Sequence, residues 1–260
     1  MERAKWRSAV VLVLVIAAVT LFVPRWAAAD NKLNAAVVAG FMLPFEEIAA
    51  VYQKKTGVKV RATFSSAGRL YGQIINGAPH DIFLSADKER PDLLHSRAIS
   101  EKPFTYATGE VILWFSDRKF CGSEGWRSAL ARKDVGRIAI PNPETAVYGL
   151  RAQGALKDAG LWDSVSPRLI YAPDLSQVFQ YATEGAVDAA FCSLAHARTE
   201  KGKTGCYYEM KGVPAVIHSA CVLKNAKDID RARHFAAFLV SLEGERIIKK
   251  YGYNRSSDRR

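Results

Sequence analysis

The stretch from Phe64 to Asp87 constrains this chain more than any other. It reads as a strand end, a loop of short side chains at Ser65 to Gly68, a helix, a turn and a second strand. Asn76-Gly77-Ala78-Pro79 stops the helix with a glycine followed by a proline. Asp81 to Leu84 is a short apolar run suited to a buried strand of a parallel sheet. The loop lies where a helix begins. Its backbone N–H groups are free there, and the positive end of the helix favours an anion. Taken alone, such a loop is more often an ordinary strand-to-helix connection than a binding site.

The rest of the chain repeats the alternation. Leu33 to Ala39 is an apolar strand, and Gly40 supplies a turn. Pro44 stands in the first turn of a helix with Phe45, Ile48, Ala49 and Tyr52 on one face, ending at Gly57. Further strands are expected at Val58–Phe64, Arg137–Ile140, Arg168–Tyr171 and Ala189–Cys192. Helices are expected after Asp87, at Trp126–Arg132, from Glu144 to Gly160, after the N-cap Asp174, and at Ile229–Leu242 and Gly244–Tyr251. Tyr106 to Phe115 is a long extended run able to carry the chain between two lobes, and Cys206 to Val222 is a second. The fold class that follows is α/β, each lobe a mostly parallel sheet flanked by helices with a cleft between the lobes. Residues 30–108 and 217–260 form the first lobe, and residues 109–216 the second. Ligands of such sheets bind outside the carboxyl ends of strands. The loops around Gly40, Ser66, Tyr148 and Leu175 therefore converge on one cleft.

Residues 1–29 read as a secretory signal. Arg3, Lys5 and Arg7 form a basic start, Ala9 to Val23 is apolar, and Ala27-Ala28-Ala29 offers small residues for cleavage after Ala29. The apolar run is shorter than the roughly 20 residues of a spanning helix. Of the 260 residues, 49% are hydrophobic, enough for a full core in one large or two modest domains. The formal charge is +11; removing Arg3, Lys5, Arg7, Arg25 and Glu2 takes off +3 and leaves +8. That excess draws anions. The basic residues are interspersed with acids, and an export signal argues against nucleic acid as a partner. Cys121, Cys192, Cys206 and Cys221 make an even number in an exported chain, which points to structural disulfides over metal ligation. Four cysteines allow three connectivities. Cys206 with Cys221 is favoured because two extended segments meet there.

Several blocks resemble the periplasmic molybdate-binding protein family, the substrate-capturing part of an ABC transporter. They are Glu46 to Ala50 with Lys55 to Val60, Gly68 to Asp87, Ile138 to Glu144 with Tyr148-Gly149, and Lys249 to Tyr253. The block Gly77 to Asp87 is the most specific. The resemblance spans about Leu33 to Tyr253 and implies a two-lobed periplasmic binding protein of type II. It implies a monomer, without cofactor or catalysis, that closes over a dehydrated tetrahedral dianion, molybdate or tungstate by default. It also implies a permease and ATPase as partners. Ligand contacts carried over on these blocks fall at Gly40, Phe41, Ser66, Ala67, Tyr148 and Leu175, with Ala39, Ser65 and Ser193 as further candidates.

Two positions depart from the family. Gly40 and Ala67 stand where side-chain donors are usual, and each missing donor leaves a buried acceptor that costs about 1–3 kcal/mol. The departures admit an alternative, the same fold taking a larger anion or a small metabolite. Met42 and Cys192 are soft donors near the inferred cleft but read first as packing residues. Cys192 and Ser66 are nucleophilic residue types with no histidine and acid placed beside them by the sequence.

Overall fold

The computed structural model describes residues 31–254. The signal segment with its cleavage after Ala29, and the last residues from Arg255, lie outside the described residues. The described chain forms two five-stranded sheets. In the first sheet, β1 (Lys32–Val38) lies between β2 (Lys59–Ser65) and β3 (Ile82–Ser85), all parallel. Beyond β3 come β10 (Val216–Val222) and then β4 (Phe104–Gly109), with β10 antiparallel to both neighbours. The second sheet has the order β7-β6-β8-β5-β9, from β5 (Val111–Phe115), β6 (Ile138–Pro141), β7 (Leu169–Ala172), β8 (Ala189–Ser193) and β9 (Cys206–Glu209). Here β5 is the strand that runs against its neighbours. In both sheets, therefore, four strands share one direction. The odd strand is the one the chain enters just after crossing from the other sheet.

The helices pack on these sheets for local reasons. In α1 (Met42–Thr56) the buried face is Phe45, Ile48 and Tyr52, and Gly57 at φ 72° ends the helix. In α2 (Ala67–Ile75) Leu70 and Ile74, one turn apart, are buried. Next come α3 (Glu89–Ser96) and α4 (Trp126–Ala131). They are followed by α5 (Val147–Asp158) and α6 (Trp162–Val165). Then α7 (Leu175–Thr183) begins at Asp174, whose carboxylate accepts from Gln177 N–H at 3.1 Å. Two short helices, α8 (Leu194–Ala197) and α9 (Glu200–Thr204), stand where no helix was expected. The chain closes with α10 (Ile229–Leu239) and α11 (Leu242–Lys250), capped by Asp228 and Ser241. One carboxylate holds the first sheet's lower edge together. Asp81, 4% exposed, accepts from Asn34 N–H at 2.7 Å and Lys227 N–H at 3.0 Å.

The cysteine expectation is corrected. The disulfide joins Cys121 to Cys206, residues 85 apart in sequence, while Cys192 and Cys221 are free and buried. The reason lies in the sheets. Cys206 opens β9 opposite Phe115, the last residue of β5, and Cys121 follows the turn just after β5. Cys221 lies in the other sheet, opposite Phe83. The stretch Cys206 to Val222 is also not one extended run. It turns at Met210–Gly212, so its two extended parts enter different sheets and never pair.

Candidate functional site

The carboxyl ends of β1, β2 and β3 face the starts of α5 and α7, and a small cavity lies between them. Its walls include Ala39 and Gly40 after β1, Ser65 at the end of β2 with Ser66 and Ala67 after it, Tyr148 at the start of α5, and Asp174 and Leu175 at the start of α7. The centre of a water-sized sphere has about 20 Å³ in which to move. Treated as a sphere, that space has a radius of about 1.7 Å, room for one compact polyatomic ion.

Apart from the Asp174 carboxylate, which accepts from Gln177 N–H, the polar groups at this space are neutral donors. Helix geometry leaves the first N–H groups of α2, α5 and α7 without intrahelical acceptors. At α2 one of them is already used: Gly68 N–H donates to Thr145 O at 3.0 Å, across the cleft. The approach is close enough that a Cβ on Gly68 would lie 3.2 Å from Thr145 Cα. Ala67 N–H stands beside it at the first helical position. The Ser66 hydroxyl is buried and has no hydrogen-bond partner, so its bonding capacity is open to whatever fills the cavity. At α7, Ser176 Oγ donates to Ala39 O at 3.0 Å. That contact ties the two sides and leaves the Leu175 and Ser176 N–H groups at the helix start. Among the described residues no Lys or Arg side chain lines the cavity. Attraction for an anion here comes from helix ends and oriented amides.

Gly40 does not leave a hole. A Cβ at that position would fall 2.6 Å from Leu175 Cδ2, so the leucine side chain already occupies the space a larger residue 40 would take. Beneath the cavity lies a buried polar cluster. Tyr253 donates to Gly40 O at 2.5 Å. The Tyr148 hydroxyl is 3.3 Å from His218 Nε2, and the Tyr106 hydroxyl is 3.2 Å from His218 Nδ1 and 3.2 Å from Ser85 O. Burial pushes both Tyr106 and Tyr148 well above the usual phenol range and drives His218 down to about 3.

The structure thus brings Gly40, Ser66, Ala67, Tyr148 and Leu175 to one cavity, with Ala39 and Ser65 on its wall. Phe41 is not on that wall. It is fully buried below, its ring against Tyr106 at 4.9 Å and Tyr253 at 5.2 Å. Ser193 also sits deeper, bonded to His196 Nδ1 at 2.8 Å. Met42 lines a separate apolar groove with Leu43 and Phe179, and Cys192 is a buried thiol whose pKa burial raises. Among the described residues no group of three or more His, Cys, Asp or Glu side chains is arranged to hold a metal. His218, Tyr106 and Thr145 escaped sequence reasoning. His218 sits in the middle of an apolar strand, and its tyrosine partners are 112 and 70 residues away.

The model of the family described as bacterial extracellular solute-binding protein matches residues 33–254. Over 228 residues the chain is 31% identical to the molybdate-binding protein ModA of Rhodobacter capsulatus, covering 87% of this chain and 89% of that one. Over 232 residues it is 30% identical to the protein of the same name from Azotobacter vinelandii, covering 87% and 91%. The solved periplasmic molybdate-binding protein of Azotobacter vinelandii superposes with a TM-score of 0.81 at 29% identity, covering 85% of this chain and 98% of that structure.

Proposed function

Because this chain belongs to the family of bacterial extracellular solute-binding proteins, we propose that it captures a tetrahedral oxyanion, molybdate or tungstate first, in the cleft between its two sheets. It works in the periplasm as a monomer and delivers the ion to the permease and ATPase of an ABC importer. The observation that carries this reading is the cavity itself: a space walled by helix starts in which the centre of a water-sized sphere has about 20 Å³ to move, with an orphan Ser66 hydroxyl and, among the described residues, no cationic side chain. A dianion stripped of water needs many donors and little room, and the convergent N–H groups of α2, α5 and α7 supply donors at no cost in side-chain order. Discrimination among oxyanions then follows from cavity radius and donor placement. The two molybdate-binding relatives point the same way.

The alternative of a larger anion or a small metabolite rests on space left by Gly40 and Ala67, and the first of these is the one Leu175 bears on. Leu175 fills that space, which favours the compact ion. Titration calorimetry with molybdate, tungstate, sulfate and phosphate tests the proposal. Binding of the first two, with weaker or no binding of the others, is the expected result. No heat with any of the four overturns it.

A further inference from the structure

The hydroxyl of Tyr148 has one hydrogen, and its surroundings decide where that hydrogen points. A peptide carbonyl only accepts, so the Tyr106 hydroxyl, which donates to Ser85 O, accepts from His218 Nδ1–H. A neutral imidazole with its proton on Nδ1 carries a lone pair on Nε2. The Tyr148 hydroxyl faces that lone pair at 3.3 Å. On its other side, Tyr253 has already spent its hydrogen on Gly40 O and can only accept. In the empty cavity, then, Tyr148 donates inward. Turning its hydrogen outward to an anion leaves the Nε2 lone pair facing the lone pairs of the Tyr148 oxygen, a buried repulsive contact. A neutral tautomer with its proton on Nε2 relieves it only if Tyr106 turns its hydrogen from Ser85 O to Nδ1. A second proton on the ring relieves it with the Tyr106 to Ser85 bond kept, and Nε2–H then donates to the Tyr148 oxygen.

We propose that His218 is a positioning residue of the oxyanion site, which takes up a proton from solvent when the anion binds and thereby turns the Tyr148 hydroxyl toward the ligand. This rests on the oxyanion reading above. The groups that face the ring support it. Tyr106 comes from β4, Tyr148 from α5 and Tyr253 from the end of the chain, while Phe41 packs on it at 6.0 Å. Asp87 lies behind Tyr106 and Cys192 behind Tyr148. None of the ring's direct contacts is a carboxylate, so the bound dianion is the counter-charge an imidazolium would have. Burial holds the empty-state imidazole at about 3, and therefore neutral at physiological pH. A dianion two hydrogen-bond lengths away, about 6 Å, at an effective dielectric of about 20, raises its proton affinity by roughly four powers of ten. That carries the group to the neighbourhood of neutrality, where uptake is measurable.

The experiment is calorimetric titration of the full mature chain with tungstate in buffers of different ionisation enthalpy, between about pH 6.5 and 8.5. The expected result is net proton uptake, larger at the lower pH, with affinity falling as pH rises. His218→Gln offers Tyr148 an amide donor that needs no proton. It is expected to bind with heats independent of buffer and a flat pH profile. Imidazole nitrogen NMR of the wild-type protein reads the same event without a variant: Nε2 is expected to change from lone pair to N–H on loading while Nδ1 keeps its proton. Tungstate binding with no buffer dependence, whether Nε2 is unchanged or gains its proton as Nδ1 loses one, overturns proton uptake by His218 and leaves the oxyanion reading standing. Uptake that persists in His218→Gln also overturns it. Failure of every oxyanion to bind overturns both.

Discussion

The two sheets share a plan and differ in what holds them. Each has a parallel trio, an antiparallel strand received from the other side and an outer strand beyond it. The first is secured from within by the Asp81 carboxylate on two backbone N–H groups and by the packing of α10 on β10. The second is secured by a covalent link between the edge strand β9 and the turn after β5. Both sides keep histidine buried, His80 and His218 on the first and His196 of α8 on the second. The functional loops differ in the same spirit. Those of the first sheet offer backbone and the Ser66 hydroxyl, while those of the second offer Tyr148 and the Asp174-capped start of α7. One architecture thus tolerates two kinds of reinforcement, because strand order depends on apolar faces and the reinforcement sits at the edges.

Acid acts on both sides at once and has the largest expected effect. His218 and His196 have folded-state values pushed down by burial to about 3 and about 4. The unfolded chain binds those protons near 6.5, so the contribution is fully present above that pH and is lost as pH falls through the folded values. At pH 4 the loss is roughly 3 kcal/mol for each histidine relative to neutral pH. Urea unfolding of the empty protein between pH 7 and 4 measures it. His218→Gln and His196→Gln should each flatten the profile by about half.

The next effects separate the two sheets. Replacing Cys121 and Cys206 by serine should cost about 2–4 kcal/mol by freeing a long loop in the unfolded state. It should also raise hydrogen exchange around β5 and β9 and leave β1 to β3 protected. Asp81→Ala removes a charged acceptor from two part-buried N–H groups and should cost about 1–3 kcal/mol, with faster exchange at Asn34 and Lys227. If both changes loosen both sheets equally, the two sides unfold as one unit and the contrast between them is only geometric.

The smallest effect lies at the seam. Gly40→Ser drives its side chain onto Leu175 Cδ2, the movable end of a leucine. A loss of roughly tenfold or less in oxyanion affinity is expected, about 1 kcal/mol. Adding Leu175→Ala should recover it. A double change that is merely additive shows that the two residues do not share the space.

Much of this fold was legible before any coordinates. The strands β1, β3, β6 and β8 are short, mainly apolar runs and β2 alternates polar with apolar residues, and all five fall within a residue or so of their expected positions. Asp174 caps α7 as its sequence context suggests. What escaped depends on contacts distant in sequence. Cys206 could be paired correctly only by knowing that β9 and β10 enter different sheets. Phe41 stands next to the cavity loop, yet the turn at Ala39–Phe41 buries its ring against Tyr106 and Tyr253. The exchange of volume between Gly40 and Leu175 links residues 135 positions apart, across the cleft. Local pattern carries no trace of such a pair.

The contact between Gly68 N–H and Thr145 O has a kinetic consequence. With the Ser176 to Ala39 bond it forms a clasp that must part before anything leaves the cavity. Each such neutral bond is worth about 1 kcal/mol net, or about fivefold in the rate of parting. Both bonds end on main-chain carbonyls, and one also starts on a main-chain N–H. No replacement of a lining side chain removes that one. That share of the barrier to release, about fivefold in rate, therefore persists as the cavity wall drifts, whatever ligand the wall comes to prefer.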